Sequence, residues 1–211
     1  MKLSRRQVLL GLGATIGSVA LSATSVLPAL AKTRKLFNGT DLSWLPAIEK
    51  AGGRFYSSAR KRTDAVALMH RAGLGVGRVR LWVNPTDTSA NLNNAIALAR
   101  RLKKNGMQFC LDFHFSDTWA DPGQQTTPQG WSTTDSTLLE NQLSDYVSTT
   151  LTTFKRLGLA PQWVQLGNEI ANGFLWPLGK IDSADADQWQ RFAQLQMTAA
   201  TAMRNSSRND R

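Results

Sequence analysis

Gly167, Asn168 and Glu169 follow directly on Trp163, Val164, Gln165 and Leu166, a short run with the apolar weight of a buried strand. A carboxylic acid and an amide thus leave one strand end side by side. A Glu in such a place donates a proton to a leaving oxygen when burial or a neighbouring carboxylate favours its protonated form, and the amide can hydrogen-bond a sugar hydroxyl. That pairing suits glycoside cleavage. It also suits a plain polar junction in which Asn168 caps the next helix.

Other strand ends in the chain have the same form. The apolar run 106–110 leads into residues 111–123, which carry Asp112, His114, Asp117, Trp119 and Asp121. Upstream, Arg78, Arg80 and Trp82 alternate through a strand pattern that exits at Asn84 and Pro85, and Asp41, Leu42, Ser43 and Trp44 follow what reads as a first strand. In a (β/α)₈ barrel the C-terminal strand ends form the catalytic face, so four ends of one polarity bearing acids, amides, basic groups and indoles describe a saccharide site. Arg78 and Arg80 lie two residues apart and therefore share one face of their strand. They serve either to fix a carboxylate or to fill the barrel interior. Trp82, Trp119 and Trp176 can stack on sugar faces or pack in the core; Trp44, Trp131 and Trp163 read as packing residues. Asp117 binds ligand or fixes its loop, and Asp121-Pro122 reads as a turn.

The elements that must position these groups alternate. Strands are expected over 35–42, 74–83, 108–113 and 163–167. Helices are expected over 43–51, with Ser43 as cap, and over 63–72, 91–105, 138–157 and 184–203. Leu139, Leu143, Tyr146, Val147, Leu151 and Phe154 mark one face of the long fourth helix. The stretch 116–136, rich in Pro, Gly, Gln, Thr and Trp, is long for a connection and points to a functional loop. Strand and helix in alternation predict parallel α/β architecture. Gly73, Gly75 and Gly77 lead into a strand rather than opening a helix, so they are not a dinucleotide fingerprint, and no phosphate loop or zinc-ligand spacing occurs.

At 211 residues the chain is shorter than the roughly 250 residues usual for a complete (β/α)₈ barrel. Residues 1–31 read as an export leader: Lys2, Arg5 and Arg6 precede an apolar and small-residue core, and Ala29, Leu30 and Ala31 offer a small-x-small cleavage site. Ser4, Arg5, Arg6, Gln7, Val8 and Leu9 resemble a twin-arginine signal, with an ordinary Sec signal as the alternative. The mature part, 32–211, is then periplasmic or extracellular, with no stable membrane anchor after cleavage. Three of the 25 basic residues and no acidic one lie in the leader, which leaves 22 against 15 and a net charge of +7. Such a surface could attract acidic pectin. No basic stripe with interleaved aromatics points to nucleic acid. Cys110 is the only cysteine, which excludes an internal disulfide and reads as a small core residue.

The blocks beginning at Asp41, Arg78, Leu111 and Trp163 resemble, in order and spacing, those of the arabinogalactan endo-β-1,4-galactanases, glycoside hydrolase family 53; the block 112–123 is the most specific. The resemblance implies a (β/α)₈ TIM barrel of which about the first four βα units lie in this chain, acting on β-1,4-galactosidic bonds of galactan or arabinogalactan side chains of pectin, endo and with retention. It implies Glu169 as acid/base, Arg78, Arg80, Trp82, His114, Asp117, Trp119, Asn168 and Trp176 as substrate-binding residues, and neither metal nor cofactor. The family's nucleophile, a Glu at the seventh strand, has no counterpart here, since the chain reaches residues 204–211 where a fifth strand is expected. Ala171 stands where the family often has Thr. Four strands cannot close a barrel, so these residues alone are expected to pair or aggregate rather than turn over substrate. A non-catalytic or degenerate galactan-binding protein is the alternative.

Changing Arg5 and Arg6 together to Lys should strand the precursor in the cytoplasm, measured by fractionation of the expressing cells. Unchanged export would leave only a Sec-type signal.

Overall fold

The computed structural model describes residues 37–86, 90–181 and 185–208; the leader lies outside the described residues. Four parallel strands, β1 (Gly39–Asp41), β2 (Val76–Leu81), β3 (Gln108–Phe113) and β4 (Trp163–Leu166), pair in the order β1-β2-β3-β4. Between and after them run α1 (Leu45–Lys50), α2 (Ala65–Arg71), α3 (Leu92–Lys104), α4 (Ser136–Arg156) and α5 (Ala186–Arg208). Parallel neighbours need crossover connections, and helices supply them.

Strand alternation sorts the residues into two faces. Val79 and Leu81 of β2 and Phe109, Leu111 and Phe113 of β3 join Leu98, Leu102, Leu143, Val147 and Phe154 in the core between sheet and helices. Gly77 permits the closest approach there, because a Cβ at this position would lie 2.5 Å from a Leu102 methyl. The opposite face carries Arg78, Arg80, Cys110, Asp112, Trp163 and Gln165. A one-residue slip of β2 would exchange these faces and drive both arginines into the helices.

The helices start where their caps dictate. Asp64, Asn91 and Asp135 each accept a hydrogen bond from the backbone N–H three residues on, at 3.0, 2.9 and 3.0 Å, which satisfies donors the helix itself cannot. Expected and observed helices agree to within a few residues, except that α5 continues to Arg208, through residues where a fifth strand was expected.

Two expectations are corrected. Ser43 does not cap α1: its N–H donates to Asp41 at 2.8 Å and its Oγ accepts from the Arg80 N–H at 2.9 Å, so it ties β1 to β2, and the helix begins at Leu45 with Pro46 in its first turn. Cys110 is half-buried rather than in the core, because it falls on the same strand face as Asp112. Burial, with the nearby Asp112 charge, pushes its thiol up from the ordinary value. Of the first strand expected over 35–42, residues 35 and 36 lie outside the described residues, and Gly39 to Asp41 pair with β2. Among the described residues no helix is long and apolar enough to cross a membrane.

Candidate active site

Arg78 organises the strand ends. Its Nε donates to Gln165 at 3.1 Å, Nη1 to Asp41, and Nη2 to Asp112 at 2.5 Å and to Asn168 Oδ1 at 2.9 Å. Asp41 faces Arg78 in the β1–β2 register, and the longer reach to β3 and β4 uses the forked guanidinium. Burial opposes the charged form of Asp41, yet hydrogen bonds from Ser43 and the Arg78 guanidinium outweigh it and hold this carboxyl below the usual carboxylate value.

Asp112 is fully buried and shares its Oδ2 between Arg78 and His114 Nε2, the latter 3.0 Å away. Trp82 Nε1 donates to His114 Nδ1 at 3.2 Å, so the ring hydrogen belongs on Nε2, pointing at Asp112. A chain of contacts thus runs from Trp82 through His114 and Asp112 to Arg78 and Asn168. His114 is buried with both ring nitrogens engaged by protein, which places it behind the open face. The expectation that Arg78 and Arg80 share a face holds. Arg80 is buried, and its guanidinium carbon lies 4.1, 4.6 and 5.0 Å from the ring centroids of Trp119, Trp82 and Trp44, within cation–π range.

Trp82 lies inside this cluster, whereas Trp119 is 41 % exposed. Trp44, read from sequence as packing, is 47 % exposed and lies 5.9 Å from Trp119; this is a correction, and the two indoles form one open aromatic surface over Arg80. Trp131 does pack, edge-on to Tyr146 at 5.6 Å, while Trp163 is partly exposed at the other end of the sheet beside Phe37. Trp176 is partly buried, its Nε1 donating to Asn172 O at 2.9 Å, with Lys180 Nζ 4.9 Å from its ring centroid.

Asp117 accepts from the N–H groups of Asn84 at 2.8 Å and Gln129 at 2.7 Å, joining the loop after β2 to the loop after β3. Asp121 closes a turn by accepting from Gly123 N at 2.7 Å.

At the end of β4, Gly167 N donates to Phe113 O at 2.9 Å, which extends the ladder one residue. The chain then turns sharply. Gly167 has φ +94° and Glu169 φ 49°, a left-handed backbone that costs a non-glycine residue of order 1–3 kcal/mol. Asn168 is buried between them; its Nδ2 donates to Ala120 O at 2.7 Å and its Oδ1 receives Arg78. It caps no helix. Glu169 is exposed, and among the described residues only its backbone carbonyl is hydrogen-bonded by another residue's side chain, that of Gln125. Gln125 and Gln165 were given no role in the sequence reading, and Asp41 was named there only as part of a polar strand end, without its partner. Asp41 could have been found from its position opposite Arg78 at a strand end. Among the described residues no group of three or more His, Cys, Asp and Glu side chains is placed to hold a metal ion.

The profile of Glycosyl hydrolase family 53 matches residues 37–211. The chain belongs to this family. It is 40% identical over 179 residues to the probable arabinogalactan endo-beta-1,4-galactanase A of Aspergillus fumigatus, covering 85% of this chain and 49% of that protein. Arabinogalactan endo-beta-1,4-galactanase A of Aspergillus niger is 41% identical over 162 residues, or 76% of this chain and 46% of its own length. Among solved structures, a fungal beta-1,4-galactanase superposes with a TM-score of 0.76 at 36% identity, over 83% of this chain and 51% of that one. The Ignisphaera aggregans GH53 catalytic domain superposes with a TM-score of 0.74 at 30% identity, over 81% and 48% respectively. The chain therefore spans about half the length of the relatives it matches, and its four parallel strands correspond to about half of the family's barrel.

The depressed Asp41 carboxyl makes a signed prediction. Its stabilisation is present above the ordinary carboxylate value, near pH 4, and is lost as pH falls through the lower folded value. Asp41→Asn should therefore flatten the loss of melting temperature in that acid range, measured by thermal scans against pH. An acid limb identical in both proteins would contradict the assignment.

Proposed function

We propose that this chain carries the acid/base half of an endo-β-1,4-galactanase active site, acting with retention on galactan or arabinogalactan side chains of pectin. The observation that supports this reading is Glu169: an exposed carboxyl on a strained turn at a strand's C-terminal end, next to a buried Asn168 held by Arg78. Glu169 protonates the glycosidic oxygen as it leaves. A second carboxylate attacks the anomeric carbon to form a galactosyl ester, and Glu169 then takes a proton from the water that hydrolyses it.

That second carboxylate is not one of the acids at these strand ends. Asp41 and Asp112 are engaged by Arg78, and Asp117 by two backbone amides. Arg78 has five N–H groups and, among the described residues, four hydrogen bonds, so one N–H on Nη1 is left there to orient an incoming carboxylate. Trp44 and Trp119 offer apolar faces for the sugar. The leader reading sends the protein outside the cytoplasm, where plant polysaccharide is met.

A binding-only role is the second reading, favoured by the exposed indoles together with the lack, among the described residues, of an uncommitted second acid beside Glu169. The test is a galactan assay on residues 32–211, alone and co-expressed with the part of the Aspergillus niger relative that this chain does not match. The chain alone should show no turnover. The assembled pair should, and Glu169→Gln should lower its rate on unactivated galactan by at least about 100-fold, the scale of general acid catalysis. Full activity of that variant would falsify the acid/base role, and galactan binding by an assembled but inactive pair would favour the second reading.

A further inference from the structure

Gln125 lies in the long loop after β3, 43 residues before Asn168 and 44 before Glu169, yet its side chain reaches both. Its two Nε2 hydrogens are shared among three carbonyls, Asn168 O at 2.8 Å, Asp121 O at 3.1 Å and Glu169 O at 3.3 Å. The carbonyls of residues 168 and 169 belong to the two peptide planes that flank the Glu169 Cα. One amide therefore fixes both planes, and with them the φ and ψ of a residue whose left-handed backbone is intrinsically unfavourable. Gln125 is 2 % exposed, and it is itself fastened: its carbonyl accepts from Trp176 N at 2.8 Å, and Thr127 Oγ1 donates to Trp176 O at 2.7 Å. The loop after β3 is thus stitched to the loop after β4 on both sides of Glu169.

We propose that Gln125 is a positioning residue for Glu169, holding the strained turn so that the carboxyl stands where the leaving oxygen must be protonated. This rests on the acid/base reading of Glu169. A side chain in proton transfer must stay within hydrogen-bond reach of its target, and among the described residues no hydrogen bond or ion pair holds the Glu169 carboxyl there. Its aim is set through its backbone, and Gln125 sets the backbone.

The test compares Gln125→Met, which keeps volume and removes the donor, with Thr127→Val, which breaks the neighbouring stitch and leaves the Glu169 carbonyls untouched. In the isotopically labelled full chain, Gln125→Met should shift the Glu169 backbone signals away from left-handed values, and Thr127→Val should leave them in place. In the galactan-cleaving pair, Gln125→Met should lower turnover of galactan at least tenfold. An aryl galactobioside with a good leaving group needs no protonation in the first step, so its kcat/KM, which reports that step alone, should stay within about twofold of the unaltered value. Glu169 signals that stay put in Gln125→Met overturn the proposal, as do equal losses of kcat/KM on both substrates. Unimpaired galactan cleavage by Glu169→Gln would instead overturn the acid/base reading and reduce Gln125 to a structural brace, and the backbone signals separate the two failures.

Discussion

A guanidinium on the inner face of a parallel sheet needs polar partners, and four of the five Arg78 N–H groups find them on the other three strands and just beyond β4. Asp41 answers from the end of β1, Asp112 from β3, Gln165 from β4 and Asn168 from just beyond it. The need runs in both directions. Asp112 is fully buried, and a buried carboxylate without a cation carries a desolvation cost of several kcal/mol. Such a cluster adds little net stability over a well-packed apolar one. Its contribution is geometric, since only one register of four strands brings these groups together, and that register also fixes where Asn168 leaves β4.

From that point the site is built outward. Asn168, held by Arg78 on one side and by the Ala120 carbonyl on the other, fixes the residue before Glu169. The left-handed turn at Glu169 then needs support from outside the strand, and the loop after β3 provides it. A rigid strand end with a stitched loop is a better base for proton transfer than a loop alone, because small misplacements of a reacting group are costly in rate. On the other side of Arg78, the His114–Trp82 contact orders the wall on which Arg80 and the exposed indoles stand.

Much of this was legible in the sequence, for identifiable reasons. β3 was read to the residue because Gly106 stops the preceding helix and the run ends in polar side chains. The alternation of Arg78 and Arg80 gave their shared face, and the Gly-Asn-Glu triplet gave the strand end. Cys110 misled because an apolar run does not reveal which of its faces is covered. Trp44 misled because an indole at the start of a helix looks the same whether it turns inward or lies against a guanidinium. Gln125 left no signal at all: the Asn168 and Glu169 carbonyls it holds lie more than forty residues away, and carbonyls carry no residue type. Asp41 was named only as part of a strand end, because its significance lies in facing Arg78 across the β1–β2 register.

The dependence of the strand ends on Arg78 is measured most directly by a double-mutant cycle joining Arg78→Met and Asp112→Leu, read by denaturant unfolding of the chain. Contact residues of one network couple by about 0.5–3 kcal/mol. The expected result is a coupling in the upper half of that range, with the double variant less destabilised than the two single losses added together. Strict additivity would mean that Asp112 does not depend on Arg78 for its charge, and that some other interaction sets the register on which Asn168 and Glu169 stand.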